Sequence, residues 1–269
     1  MAGLNARIGK AATAGLLAAS VGGFALLVGE VLAAKARRYA KPTMGLALRT
    51  SMGPISAPAL RLVLLGDSAA IGVGVEWLSE TVGGQLARLL SEGGPAEHLE
   101  RGGSGERHVL LSSVGVAGSR TADLATQVAR ALLGDRPDVA VVLIGAHDAT
   151  SMRSPDEAAE LLGQAVRRLR ESGVRVVVGT CPDLGALRAI APPLRQVAGM
   201  LGRRMARAQA RAVEAAGGSV VDLAGETGAV FRADAGTFCY DGFHPSADGY
   251  RVWAHALYPA VVKAALSPI

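Results

Sequence analysis

The sequence predicts an open α/β fold, in which a parallel β-sheet carries helices on both faces. From Arg61 onward, short apolar runs alternate with longer amphipathic segments, and this alternation is typical of doubly wound sheets. The runs are almost continuously apolar, as expected of strands that are buried on both faces. Half of the 269 residues are hydrophobic and only 19% are charged, so the chain can build a sizeable core.

Five strands and five helices follow from this pattern. The predicted strands cover residues 61–66, 108–114, 138–145, 174–180 and 219–223. The predicted helices cover residues 76–91, 121–133, 155–172, 192–216 and 247–264. Ser154 and Ser246 are suitable N-cap residues, and Pro155 suits a first helical turn. In such sheets ligands bind at the carboxyl ends of the strands, so the residues that follow each strand are the candidate site.

The N-terminal part of the chain is predicted to lie outside this domain. Residues 1–40 form a hydrophobic segment, and residues 41–59, which contain three prolines, read as a linker. Residues 11–29 are uncharged and flanked by basic residues. The length of this stretch, 19 residues, approaches the roughly 20 residues that a transmembrane helix needs. A membrane anchor, a cleaved signal peptide and an alanine-rich helix packed on the domain all fit. The expected location is membrane-associated or exported, although the basic residues after the segment favour a cytoplasmic domain.

Composition argues against several other classes of protein. Aromatic residues make up 4% of the chain, too few to favour stacking on nucleic acid, and the net charge of +5 comes partly from arginines on predicted helix faces. Cys181 and Cys239 have neither metal-site nor disulfide-framework spacing. We interpret them as free thiols, with a disulfide between them as the alternative. No metal or cofactor is expected, and no dinucleotide fingerprint or phosphate loop is present.

Candidate catalytic residues cluster after the strands. Ser68 follows the first strand within GDSAAIG, at a strand-to-helix turn where backbone N–H groups favour developing negative charge. Near the last helix, Asp241 precedes His244 by three residues in DGFHPS. Such an aspartate can accept the Nδ1 proton of the histidine and leave Nε2 as a base for a serine hydroxyl. A helix cap at Ser68 and a capping turn at the D-x-x-H pair are the structural alternatives.

Two further loops offer donors for an oxyanion. After the second strand the chain reads VGVAGSRT, which contains Gly118, and after the third it reads GAHD, which contains His147. A glycine lets an acyl oxygen approach its backbone N–H, and a polar side chain on the next loop can complete the hole. His98, His108 and His255 lie away from these loops and are interpreted as structural.

The four motifs, in this order and each after a strand, resemble the GDSL/SGNH hydrolase family over roughly residues 60–265. The resemblance implies a three-layer α/β/α sandwich similar to flavodoxin, no metal, and hydrolysis of lipid, sugar or small acyl esters. It also implies that Ser68 is the nucleophile, His244 the general base and acid, and Asp241 its orienting carboxylate. The N–H groups of Ser68 and Gly118 become oxyanion donors, with His147 at the third position.

One residue departs from the family pattern. The third motif has His147 where the family has asparagine, and an imidazole donates from a different distance and direction than a carboxamide. Asp148 is expected to influence the tautomer of His147. The chain is thus predicted to be a serine ester hydrolase. The alternatives are an acyltransferase that uses the same site, or a catalytically silent module that binds a small ligand.

Overall fold

The computed structural model describes residues 23, 25–43, 48–94 and 105–266. Six strands form one sheet with the order β1-β3-β2-β4-β5-β6. They are β1 (Leu48–Met52), β2 (Ala59–Gly66), β3 (His108–Ser113), β4 (Val139–Leu143), β5 (Arg175–Gly179) and β6 (Ser219–Val221). Seven helices accompany them: α1 (Val82–Ser91), α2 (Leu124–Ala131), α3 (Ala146–Thr150), α4 (Pro155–Glu171), α5 (Leu194–Ala215), α6 (Leu223–Ala233) and α7 (Ala247–Leu266). Residues 25–36 are also largely helical.

The predicted fold class is confirmed, but the sheet has one strand more than predicted. Strands β2 to β6 are parallel to one another, in the order β3-β2-β4-β5-β6, which is the flavodoxin order. The sixth strand, β1, pairs antiparallel with β3 at the edge of the sheet. It comes from the stretch that the sequence suggests is a linker. Its side chains alternate between partly buried and exposed, so it lacks the continuous apolar run that marks the inner strands.

Alternation along the strands builds a core on each face of the sheet. In β2, Leu62 and Leu64 point to the face covered by α1 and α7, whereas Val63 and Leu65 point to the face covered by α2 and α4. Successive strand residues point to opposite faces, so one apolar run serves both cores. The result is the predicted three-layer sandwich, with the loops after the strands gathered at one edge.

The helix boundaries follow local capping rules. The Ser154 side chain accepts the N–H of Glu157 and Pro155 occupies the first turn of α4, and Ser246 accepts the N–H of Gly249 at the start of α7. The predicted helix at 76–91 begins only at Val82, because the Thr81 side chain accepts the N–H of Gly84 and caps α1 there. Helices α3 and α6 were not predicted from the sequence.

The predicted N-terminal hydrophobic segment is only partly described. Residues 1–22 and Phe24 lie outside the described residues, and with them most of the 11–29 stretch. Within the described ranges, no helix combines the length and hydropathy needed to cross a bilayer. Residues 30–43 run over the domain surface and contact the candidate site.

Candidate active site

Ser68 lies in a turn that only a glycine-containing sequence can form. Gly66 ends β2 with φ of 137°, and a Cβ at this position would approach the carbonyl oxygen of Leu143 to 1.8 Å. The chain therefore passes close to β4 and turns sharply into Asp67 and Ser68. The N–H of Ser68 donates no hydrogen bond to another described residue, while its carbonyl accepts the N–H of Val73. This leaves an unpaired donor next to the half-buried hydroxyl.

Asp241 and His244 form the pair that their spacing predicts. The Nδ1 atom of His244 lies 2.7 Å from Oδ2 of Asp241, so the carboxylate can hold the Nδ1 proton and leave Nε2 free to accept another. The other carboxylate oxygen, Oδ1, accepts the backbone N–H groups of Phe243 at 2.7 Å and His244 at 2.9 Å. Both side chains are buried, with Asp241 7% and His244 9% exposed.

Hydrogen bonds keep Asp241 ionised in this buried setting. Burial alone would raise the pKa of its carboxyl, but the hydrogen bonds from the His244 ring and from the backbone N–H groups of Ala40, His244 and Phe243 outweigh burial and lower that pKa below its usual value. The thiol of Cys239 also donates to Oδ1, at 3.2 Å. Burial raises the pKa of Cys239 to about 11, so this thiol stays protonated and remains a donor at neutral pH.

Ser68 and His244 line the same cavity, which has a volume of about 60 Å³. The hydroxyl of Ser68 makes no hydrogen bond to a described residue, and catalytic hydrogen bonds are often long in the absence of substrate. The walls are mainly apolar and come from the turns after β2, β4 and β5, from the loop before α7, and from α6 and α7 themselves. The larger apolar lining residues are Leu143, Ile144, Leu184, Leu187, Leu223, Phe231, Phe238, Phe243 and Trp253.

The other two predicted site residues, Gly118 and His147, line a neighbouring cavity of about 370 Å³. Gly118 has φ of 78° and open space where a Cβ would stand, and its N–H donates no hydrogen bond to a described residue. His147 is half-buried in the first turn of α3. The structure thus brings Gly118 and His147 together at one cavity and Ser68 and His244 together at another. Ala146, directly before His147, lines the cavity of Ser68.

Asp148 has a structural role that the sequence did not indicate. Its buried carboxylate accepts the backbone N–H of Thr121 at 3.0 Å and the hydroxyl of the same residue at 2.8 Å. Asp148 therefore connects the loop after β4 to the start of the helical region after β3. It therefore helps to position the backbone around Gly118 and His147.

Two buried polar residues, which the sequence analysis did not identify, support the turn that carries Ser68. Gln127 of α2 is 2% exposed; its Oε1 accepts the N–H of Gly66, and its Nε2 donates to the carbonyl of Gly66 and to the hydroxyl of Ser119. Asp67, directly before Ser68, accepts the N–H of Ala69 at 3.0 Å. Burial raises the pKa of Asp67 to about 6, although that hydrogen bond and the nearby His244 act in the opposite direction. Asp67 could have been identified from the sequence because it directly precedes Ser68, whereas nothing in the local sequence marks Gln127.

The cysteines and the metal-ligating residues offer no further chemistry. Cys181 and Cys239 are both free thiols, as interpreted from the sequence. In the part of the chain that the structure describes, no three His, Cys, Asp or Glu side chains lie close enough to hold a metal ion. His98 lies outside the described residues.

Comparison with known proteins decides the family. The profile of the GDSL-like lipase/acylhydrolase family matches residues 64–252. The chain belongs to the GDSL-like lipase/acylhydrolase family. A GDSL-like esterase of Mycobacterium tuberculosis (Rv1075c) is 40% identical over 204 residues, which is 75% of this chain and 62% of that protein. The predicted family is thereby confirmed. The matched region is less than two thirds of the length of this relative.

Solved structures of GDSL proteins share the fold. A lipolytic protein of the G-D-S-L family from Veillonella parvula has a TM-score of 0.57 at 14% identity, covering 74% of this chain and 97% of that one. A lipase/acylhydrolase from Enterococcus faecalis has a TM-score of 0.56 at 21% identity, covering 76% and 96%. An acetylxylan esterase from Geobacillus stearothermophilus has a TM-score of 0.54 at 17% identity, covering 76% and 95%. These likenesses establish the sandwich architecture of the GDSL chain.

Proposed function

We propose that this GDSL-family protein is a serine ester hydrolase that works through an acyl-enzyme. The Ser68 oxygen attacks the ester carbonyl and forms a bond to its carbon, while the hydroxyl proton passes to Nε2 of His244. The carbonyl electron pair moves to oxygen, and when it returns the alcohol leaves with the proton from His244. Water then repeats the sequence, releases the acid and regenerates Ser68.

The observation that carries the proposal is the shared cavity of Ser68 and His244, with Asp241 hydrogen-bonded behind the imidazole. A buried carboxylate with a lowered pKa stays negative and stabilises the imidazolium that forms when Ser68 loses its proton. The N–H groups of Ser68 and Gly118, which are unpaired within the described residues, are the proposed oxyanion donors. His147, beside Gly118, is the proposed third donor.

The same cavity suggests the substrate class. Its volume of about 60 Å³ is well below the roughly 150 Å³ of a cavity that accommodates benzene. The walls are mainly apolar, and Asp183, one of the two aspartates that line the cavity, is paired with Arg232. A small apolar acyl group is therefore the preferred occupant of this cavity. We propose short-chain acyl esters as substrates.

The decisive experiment compares p-nitrophenyl acetate, butyrate and decanoate with the purified full chain. We expect turnover that is fastest with the acetyl or butyryl ester, and loss of turnover in Ser68→Ala. The matched control is Ser79→Ala, which removes an exposed hydroxyl and should leave the rate unchanged. A fluorophosphonate probe should label the wild-type chain at Ser68. If neither turnover nor labelling occurs, the ester hydrolase proposal is wrong; if decanoate is the best substrate, the acyl-size proposal alone is wrong.

Association with a membrane, or export, is a separate proposal. It rests on the uncharged stretch 11–29 and its basic flanks, most of which lies outside the described residues. Fractionation of cells that produce the full chain would test it. Recovery in the membrane or exported fraction supports the proposal, and recovery wholly in the soluble cell fraction contradicts it.

A further inference from the structure

The segment formed by residues 30–43, here called the strap, is attached to the domain at several points. At its start, Oε2 of Glu30 accepts the N–H of Leu194 at 2.8 Å, at the beginning of α5. At its end, the Thr43 hydroxyl donates to the carbonyl of Val75 at 2.9 Å, after the nucleophile turn. Both partners, Leu194 and Val75, belong to the domain and not to the strap. The strap is therefore attached to the domain at both ends.

Between these attachments, the strap contacts the carboxylate of the candidate site directly. The backbone N–H of Ala40 donates to Oδ2 of Asp241 at 2.9 Å, and this is the oxygen that faces Nδ1 of His244. The other hydrogen bonds to Asp241 among the described residues come from Cys239, Phe243 and His244 of its own loop. Ala40 is thus a donor from a segment 201 residues away.

An aromatic contact joins the strap to the imidazole. The Tyr39 ring packs edge-on against Phe243, with centroids 5.4 Å apart and an interplanar angle of 70°. Phe243 in turn packs edge-on against the His244 ring at 5.0 Å. The hydroxyl of Tyr39 donates to the carbonyl of Ala34, which holds the tyrosine ring against its own segment. The ring of Phe243 is therefore confined between Tyr39 and His244.

We propose that Tyr39 and Ala40 are positioning residues for the ester hydrolysis proposed above. The Ala40 N–H orients the Asp241 carboxylate toward Nδ1, and the Tyr39 ring limits how far Phe243 and His244 can rotate. Neither Tyr39 nor Ala40 lines the cavity that holds Ser68 and His244. Their effect should therefore fall on the chemical step rather than on substrate binding. A segment outside the sheet thereby contributes to proton transfer.

Substitution of Ala40 by proline isolates the hydrogen bond, because proline has no backbone N–H. In the full chain, Ala40→Pro should lower kcat for a short p-nitrophenyl ester by about tenfold, the usual effect of one hydrogen bond to a charged group. KM should change little. With one donor fewer, Asp241 becomes more basic and stabilises the imidazolium more, so the acid limb of the kcat/KM profile should move to higher pH.

Three further variants separate positioning from general damage. Arg38→Pro places a proline two residues earlier, at an exposed position whose N–H makes no hydrogen bond to a described residue, and should leave kcat and the pH profile unchanged. Ala40→Gly retains the N–H and should recover most of the rate lost in Ala40→Pro. Tyr39→Ala should lower kcat without moving the acid limb, because it leaves the carboxylate hydrogen bond in place.

The outcomes distinguish this inference from the proposal on which it rests. A wild-type chain that neither turns over esters nor reacts with the fluorophosphonate probe overturns ester hydrolysis and, with it, the positioning role. An active wild type whose Ala40→Pro variant keeps its kcat and pH profile overturns the positioning role alone. The same conclusion follows if Arg38→Pro and Ala40→Pro lose equal activity and equal Tm. A selective loss of kcat with a displaced acid limb supports the inference.

Discussion

Gln127 holds both backbone groups of Gly66, accepting its N–H at 2.7 Å and donating to its carbonyl at 2.9 Å. A single amide side chain on α2 thus pairs the Gly66 N–H and shares the Gly66 carbonyl with the N–H of Val116. Because Ser68 follows two residues later, the geometry of the nucleophile turn depends on this glutamine. The hydroxyl of Ser119, next to Gly118, bonds to the same amide, so Gln127 also connects the loops that carry two proposed oxyanion donors.

Replacing Gln127 by leucine should therefore damage both stability and catalysis. Gln127→Leu replaces the amide with an apolar side chain of similar volume and leaves the buried N–H of Gly66 without a partner, at a cost of about 1–3 kcal/mol in the free energy of unfolding. The Gly66 carbonyl keeps its hydrogen bond from the N–H of Val116. We expect a lower denaturant midpoint and a kcat reduced more than KM is changed. The control is Gln164→Leu, an exposed glutamine on α4. Equal stability of the two variants would show that Gln127 does not support the turn.

Glycine at position 66 should be indispensable for folding of the turn. Gly66→Ala places a Cβ against the Leu143 carbonyl at 1.8 Å and puts a side chain at φ of 137°, so β2 and β4 must separate or the turn must change. We expect loss of soluble folded protein or a fall in Tm of more than about 10 °C, the shift that several kcal/mol causes in a chain of this size. Gly134→Ala is the matched control, since its Cβ meets nothing within 4 Å. A Gly66→Ala variant with wild-type Tm would contradict the described turn.

A strand or helix could be predicted from the sequence only where its own residues carry a clear apolar pattern. Strands β2 to β6 could be predicted because burial on both faces leaves apolar runs in the sequence. The edge strand β1 has exposed side chains at alternate positions, and α6 contains Gly225 and Gly228, which disguise its helical pattern. Local sequence was therefore sufficient for the strands with apolar runs and insufficient for β1 and α6.

The residues of the candidate site also divide into those that the sequence indicates and those that it does not. Ser68, Asp241 and His244 stand in short motifs with local spacing, so the sequence alone could indicate them. Gln127 and Ala40 act through hydrogen bonds to residues 61 and 201 positions away. Neither residue type nor spacing reveals such a contact, because it exists only once the sheet and the strap have assembled.

Asp67 should make the stability of the protein decrease as pH rises through weakly acidic values. Folding raises the pKa of this carboxyl from 3.8 to about 6, chiefly through burial, so between these values the folded state holds more protons than the unfolded state. Stability then falls as pH increases through that window, by roughly 3 kcal/mol at most, if each pKa unit counts about 1.4 kcal/mol.

The variant Asp67→Asn tests this pH dependence, because an amide resembles the protonated carboxyl. We expect the variant to match the wild type near pH 4 and to exceed its stability at pH 8, as measured by urea denaturation across the range. Asp241 has the opposite effect in both proteins: because its pKa is lowered, the stability that it contributes is lost as pH falls. This effect cancels when the free energies of unfolding of variant and wild type are subtracted. Asp135→Asn, at an exposed aspartate, is the control. A difference between variant and wild type that is independent of pH would contradict the prediction.

His147 should act as an oxyanion donor despite replacing the asparagine of the family pattern. His147→Ala removes the imidazole from the cavity it shares with Gly118, and loss of one such donor typically lowers kcat on the order of 100-fold. His147→Asn substitutes a carboxamide N–H and should restore kcat toward or above the wild-type value. His108→Ala, at a histidine that contacts Gly53 far from the site, controls for the loss of an imidazole as such. Because a donor acts on the transition state, KM should change far less than kcat in His147→Ala. A His147→Ala variant with wild-type kcat for a short ester would show instead that the imidazole takes no part in the reaction and only follows the end of β4.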